Sequence, residues 1–166
     1  MDNLQAVPSY EEQVVSYLKE KGFKISFAES CTGGLACARL VSVPDASAVL
    51  KESYVTYANE SKIDLLGVSP VAISEYGVVS EEVARQMAKG AAEKSGAQIG
   101  VGITGVAGPS GGTEAKPVGM VCFGVYLNGT LDSKTINFGA MGRNEVREAA
   151  AQYIFKALVY LFSREE

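Results

Sequence analysis

The chain has 166 residues, 47% of them hydrophobic and 20% charged, with a net charge of −4. This fits one globular domain with a core of its own, and the scattered Lys and Arg form no basic cluster, so neither nucleic acid nor a membrane is implied as a partner. Histidine is absent, which excludes Ser-His-Asp and Cys-His catalysis within one chain, removes the commonest zinc and iron ligand, and leaves Lys, Asp, Glu, Tyr or Cys as a general base.

No apolar run reaches the roughly 20 residues that span a bilayer. Residues 1–13 lack the basic start and apolar middle of a secretory signal. Cys31, Cys37 and Cys122 cannot all pair within one chain and do not have zinc-site spacing. The expectation is a cytoplasmic protein with reduced thiols.

In chain order, Ser9-Tyr10-Glu11-Glu12 fits a capping box. Val14, Val15 and Leu18 continue it at helical spacing, and Gly22 can end the helix. Residues 23–28 alternate through Phe23, Ile25 and Phe27 as a strand. A short helix over residues 35–43 is stopped by Pro44, and residues 54–58 have strand composition. "NESKIDLLGV" reads as a loop and short helix closed by Gly67, and Ser69-Pro70 opens another helix. Ser80 caps a long helix that Gly96 ends. Strands follow over 99–104 and 120–127, with Asn128-Gly129 as a hairpin turn and a return strand over 134–138. The last helix covers about 144–162, with Val146, Ala150, Ile154 and Leu158 on one stripe. The expected architecture is α/β: one three-layer α/β/α domain over residues 1–166, core about 9–163, around a mixed sheet of about five strands with one C-terminal antiparallel hairpin.

Several stretches carry candidate chemistry. Gly100 to Gly105 spells GxGxxG, but it overlaps a strand, opens no helix and has no acid near twenty residues on, so it does not read as a dinucleotide site. The loop "TGVAGPSGGTEAKPVG" follows that strand, and its glycines allow close backbone approach to a ligand. It is either a binding loop or a flexible connection. "FAESCTGG", at 27–34, places Ser30, Cys31 and Thr32 after the first strand, with Gly33 and Gly34 behind them. Backbone N–H groups there suit a phosphate or an oxyanion, or Ser30 or Thr32 simply caps the next helix. Tyr57 and Lys62 flank the end of the second strand. A desolvated lysine can replace histidine as the base for a serine, or Lys62 is a solvated helix residue. Arg143 and Arg147 open the last helix, where a cation opposes the helix dipole unless an anion is present, or they pair with Glu145 and Glu148.

Together the motifs AESCTGG, SYVTYANESK, LGV, YGVVSEEVARQMAKG, TGVAGPSGG, KPVG and GRNEVRE resemble the CinA C-terminal domain family, over residues 11–163. The resemblance implies hydrolysis of the carboxamide of nicotinamide mononucleotide to nicotinate mononucleotide and ammonia, the activity of stand-alone family members. It implies a homo-oligomer with no cofactor and no metal. It assigns Ser30 as the nucleophile, with Tyr57 and Lys62 as the base. It assigns Thr104 and Arg143 to substrate binding, Arg143 at the phosphate. Backbone donors from Thr32, Gly33, Gly34 or Gly105 would hold the oxyanion. The competing reading is a catalytically silent nucleotide-binding or competence-related interaction module.

Overall fold

The computed structural model describes residues 7–165; residues 1–6 and 166, which the expected domain includes, lie outside them. Helix α1 (Tyr10–Lys21) starts at the capping box: Ser9 Oγ accepts from the Glu12 amide, and the Glu12 carboxylate accepts from the Ser9 amide. Gly22 ends it at φ 67°. Strand β1 (Ile25–Glu29) is buried throughout, then helix α2 (Leu35–Val41) and a single 3-10 turn at Ala46–Ala48 lead to strand β2 (Tyr54–Val55). Helices α3 (Asn59–Leu66), α4 (Pro70–Tyr76) and α5 (Glu81–Ser95) follow, the last two capped by Ser69 and Ser80. Strands β3 (Ile99–Gly105), β4 (Met120–Leu127) and β5 (Thr130–Asn137) precede helix α6 (Arg143–Phe162).

The sheet order is β2-β1-β3-β4-β5. The β1–β2 and β1–β3 pairings are parallel, and the β3–β4 and β4–β5 pairings antiparallel. The sheet is therefore mixed, as expected, but β3 also joins the antiparallel part, because the loop over residues 106–119 returns the chain beside β3 rather than across the sheet. Helices α1, α2 and α6 cover one face, packing Val14, Leu18, Leu40, Ile154 and Phe155 on Phe27, Val101 and Ile103. Helices α3, α4 and α5 lie on the other, where Leu66, Val83, Met87 and Ala91 meet Ala28.

The largest departures from the sequence expectation are at β5 and β2, while β1 runs over Ile25–Glu29 rather than 23–28. β5 begins at Thr130, because Asn128 (φ 46°) and Gly129 (φ 100°) form a two-residue turn that pairs Leu127 directly with Thr130. Its first residues, Thr130, Leu131 and Asp132, are exposed, as an edge strand allows, and with Leu131 as the one apolar side chain among them they carry no hydrophobic alternation. β2 stops at Val55 because the chain turns toward α3 after the Thr56 amide reaches the Glu29 carbonyl at 2.9 Å.

The GxGxxG stretch lies inside β3, where its glycines have a packing purpose. A Cβ on Gly100 would strike the Ala88 carbonyl, and one on Gly102 the Ala84 carbonyl, both on α5. Gly124 of β4 faces the same Ala84 carbonyl. These positions let α5 sit flush on the sheet. Gly102→Ala is expected to destabilise the domain by about 2 kcal/mol or more, since the obstacle is backbone and cannot yield; urea unfolding measures it, and an unchanged midpoint would refute the account.

Candidate active site

The site follows from the sheet order. From β1 the chain moves to β2 on one side and then to β3 on the other. In an open α/β sheet, ligands bind where neighbouring connections diverge in this way, beyond the carboxyl ends of the strands. Ser30 follows the last residue of β1, and Thr104 and Gly105 end β3.

Ser30 is partly exposed at that edge, its amide bonded to the Ile103 carbonyl at 3.0 Å. Lys62 comes from α3 and is fully buried. Its Nζ lies 3.1 Å from Ser30 Oγ, 2.7 Å from the Thr56 carbonyl and 3.3 Å from the Tyr57 carbonyl. As an ammonium it donates to all three. As a neutral amine it keeps two hydrogens for the carbonyls and offers its lone pair to the Ser30 hydroxyl. Burial lowers its pKa from 10.5 to about 8, so the neutral form is accessible near physiological pH.

The neighbouring thiol lacks such activation. Cys31 is buried, and desolvation pushes its pKa up to about 12. Ser30, not Cys31, is the group in contact with Lys62.

The turn from Ser30 to Gly34 is held from two sides. Arg147 of α6 donates from Nε to the Cys31 carbonyl at 3.0 Å and from Nη2 to the Thr32 carbonyl at 3.2 Å. In a trans peptide the C=O and N–H point oppositely, so this contact turns the Thr32 N–H away from Arg147. On the other side, the buried Glu29 carboxylate accepts from the amides of Gly34, Ala36 and Cys37. Motif reading names neither Glu29 nor the Arg147 contact as functional. The only signal in the sequence was a charged residue closing a buried strand.

Two of the expected oxyanion donors are committed elsewhere. The Gly33 amide bonds the Ser30 carbonyl, and the Gly34 amide bonds Glu29. Gly33 (φ 58°) and Gly34 (φ 100°) instead supply the left-handed backbone of the turn. Gly105 sits in the β3–β4 ladder opposite Val121. Within the turn, the Cys31 and Thr32 amides are the donors that its internal bonds do not use.

The other expected residues separate by role. Thr32 is fully buried, so its side chain is not offered to a ligand. Thr104 is also buried, and its hydroxyl donates to the Val78 carbonyl at 3.0 Å, tying β3 to the segment before α5. The Tyr57 carbonyl touches Lys62 while its hydroxyl turns away to Arg143 Nη2 at 2.9 Å. Tyr57 as a whole is 62% exposed. Arg143 also donates from Nη1 to the Gly108 carbonyl at 2.7 Å, joining α6 to the glycine-rich loop. A guanidinium has five N–H donors, so donors remain for an anion. A separate open groove of about 410 Å³ lies between β4, β5 and α6, lined by Phe123, Tyr153, Tyr160 and Leu161. It shares no residue with the Ser30 cluster.

A three-layer α/β domain with a serine–lysine pair at its topological switch point is the class that fold and site define. The chain matches the family model of the CinA C-terminal domain over residues 8–162. It is 50% identical over 139 residues to a CinA-like protein of Dictyoglomus thermophilum, covering 84% of this chain and 34% of that protein. It is 47% identical over 145 residues to a CinA-like protein of Kosmotoga olearia, covering 87% of this chain and 35% of that one. The chain thus spans about a third of the length of these curated relatives. Among solved structures, it resembles the competence/damage inducible protein CihA of Agrobacterium tumefaciens, with a TM-score of 0.88, 37% identity and coverage of 92% and 93% of the two chains. It also resembles the competence damage-inducible protein A of Klebsiella pneumoniae, with a TM-score of 0.90, 29% identity and coverage of 96% and 100%. The chain belongs to the CinA C-terminal domain family.

Proposed function

We propose that the domain hydrolyses the carboxamide of nicotinamide mononucleotide, giving nicotinate mononucleotide and ammonia. The observation that carries this is the 3.1 Å approach of Lys62 Nζ to Ser30 Oγ, with the remaining Lys62 contacts taken by two carbonyls. The choice of substrate rests on the resemblance of the motifs to stand-alone family members.

In the first half-reaction, neutral Lys62 takes the Ser30 hydroxyl proton as Oγ bonds to the carboxamide carbon. The Cys31 amide, which the turn's internal bonds do not use, stabilises the negative oxygen of the tetrahedral intermediate. The C–N bond breaks, and the Lys62 ammonium gives its proton to the departing nitrogen, which leaves as ammonia. In the second half, Lys62 takes a proton from water as the water oxygen attacks the ester. The bond to Oγ breaks, the proton returns to Ser30, and the carboxylic acid product leaves and ionises. The exposed Tyr57 ring offers a flat apolar surface beside the pyridine, and Arg143 binds the phosphate with its remaining N–H groups.

The test is incubation with nicotinamide mononucleotide and measurement of ammonia and nicotinate mononucleotide. Equimolar release of both is expected. Binding without release would replace this reading with the silent binding module, and absence of both would reject the substrate.

A further inference from the structure

We infer that Glu29 is a positioning residue for the reaction, holding the Ser30 turn in register with Lys62; this rests on the serine–lysine reading above. Three observations converge on this side chain. Its main chain belongs to β1, paired with Ile103 on one side and Val55 on the other. Its carbonyl accepts from the Thr56 amide at 2.9 Å, and Thr56 in turn supplies a carbonyl to Lys62. Its carboxylate folds back past Ser30, so that Oε2 accepts from Gly34 at 3.0 Å and Ala36 at 3.1 Å, and Oε1 from Cys37 at 2.8 Å. One residue thereby connects the strand before the nucleophile, the helix after it and the segment that holds the base.

The arrangement is unlike an ordinary helix cap. The N-cap of α2 is Gly34, which has no side chain to accept these amides. The cap is supplied from the preceding strand instead, closing residues 30–34 into a loop whose shape depends on the carboxylate. Glu29 is 1% exposed, and no ion pair to it forms among the described residues. Its oxygens are met by amides, so an isosteric group that sets hydrogens where an oxygen now accepts disturbs the turn without removing its bulk.

The experiment compares wild type with Glu29→Gln, using a fluorophosphonate probe that phosphonylates reactive serines with loss of fluoride, alongside turnover of nicotinamide mononucleotide. Glu29→Ala leaves the amides of Gly34, Ala36 and Cys37 without their acceptor and is expected to fold poorly. Gln keeps the volume and one oxygen, but sets an NH2 group against an amide. In Glu29→Gln the fraction of protein finally labelled at Ser30 should match wild type, while the labelling rate and kcat fall roughly tenfold or more and KM changes little, because a misplaced nucleophile slows chemistry without removing binding contacts. A lower labelled fraction that reacts at the wild-type rate, or no change at all, would overturn the inference, since the residue would then act on stability alone or not at all. Wild-type protein left unlabelled at Ser30 would instead remove the serine–lysine reading, and this inference with it.

Discussion

Ser30→Ala is expected to lower ammonia release by on the order of 10⁴-fold or more, because in the proposed mechanism the removed oxygen is the atom that forms the covalent intermediate. The fold should survive. Ser30 Oγ accepts one bond, from Lys62, and Lys62 keeps its contacts with the Thr56 and Tyr57 carbonyls. Losing one partly exposed hydrogen bond costs about 1 kcal/mol. Kinetics on purified variant, with circular dichroism and thermal unfolding as controls, make the measurement. Turnover within tenfold of wild type would require another nucleophile. Cys31 could not serve, since burial holds its thiol protonated well above neutral pH.

Lys62→Met is expected to lower turnover by a comparable factor, since serine without a base is a poor nucleophile. In wild type the rate should rise with pH through about 8, where Lys62 loses its proton, and level off above. A plateau already reached at pH 6 would argue against lysine as the base.

The same ionisation makes a stability prediction. Folding lowers the Lys62 pKa from 10.5 to about 8. Between those values the unfolded chain binds the proton and the folded chain does not, so folded-state stability rises with pH across that window. Below about 8 both states are protonated, and the whole cost of burying the ammonium is felt. Because Lys62 is fully buried, the gain of wild type over Lys62→Met between pH 7 and 10.5 should be on the order of 3 kcal/mol. Urea unfolding of both proteins at several pH values measures it. Parallel pH curves would mean that Lys62 is not desolvated as described.

Much of the fold was legible locally. Ser9, Ser69 and Ser80 each accept a bond from the first turn of the helix they precede, and Gly22, Gly67 and Gly96 end helices in the left-handed conformation. Such signals act between residues a few positions apart, which a sequence displays directly. The start of β5 and the extent of β2 were not legible, because both are edge strands whose pairing is set by the neighbouring strand rather than by their own residues. In the site, the residue types were visible but their partners were not. Glu29 lay just past the strand expected over residues 23–28, and its three amide partners lie five to eight positions further on, across a turn whose shape Gly33 and Gly34 decide. Tyr57 drew notice for its phenol, yet its carbonyl is what reaches Lys62.

The sequence by itself determined the order of helices and strands, the class of fold, and a chemistry from which histidine is missing and to which lysine is the natural substitute. Those properties depend on composition and short-range spacing. Only the tertiary structure decided that Lys62 meets Ser30 across 32 positions. That contact requires β2 to pair in parallel with β1, and α3 to seat Leu66 against α5 on one face of the sheet. Arg147 reaches the same turn from α6 on the opposite face. Packing of both layers on one central strand sets these distances, and no local propensity contains them.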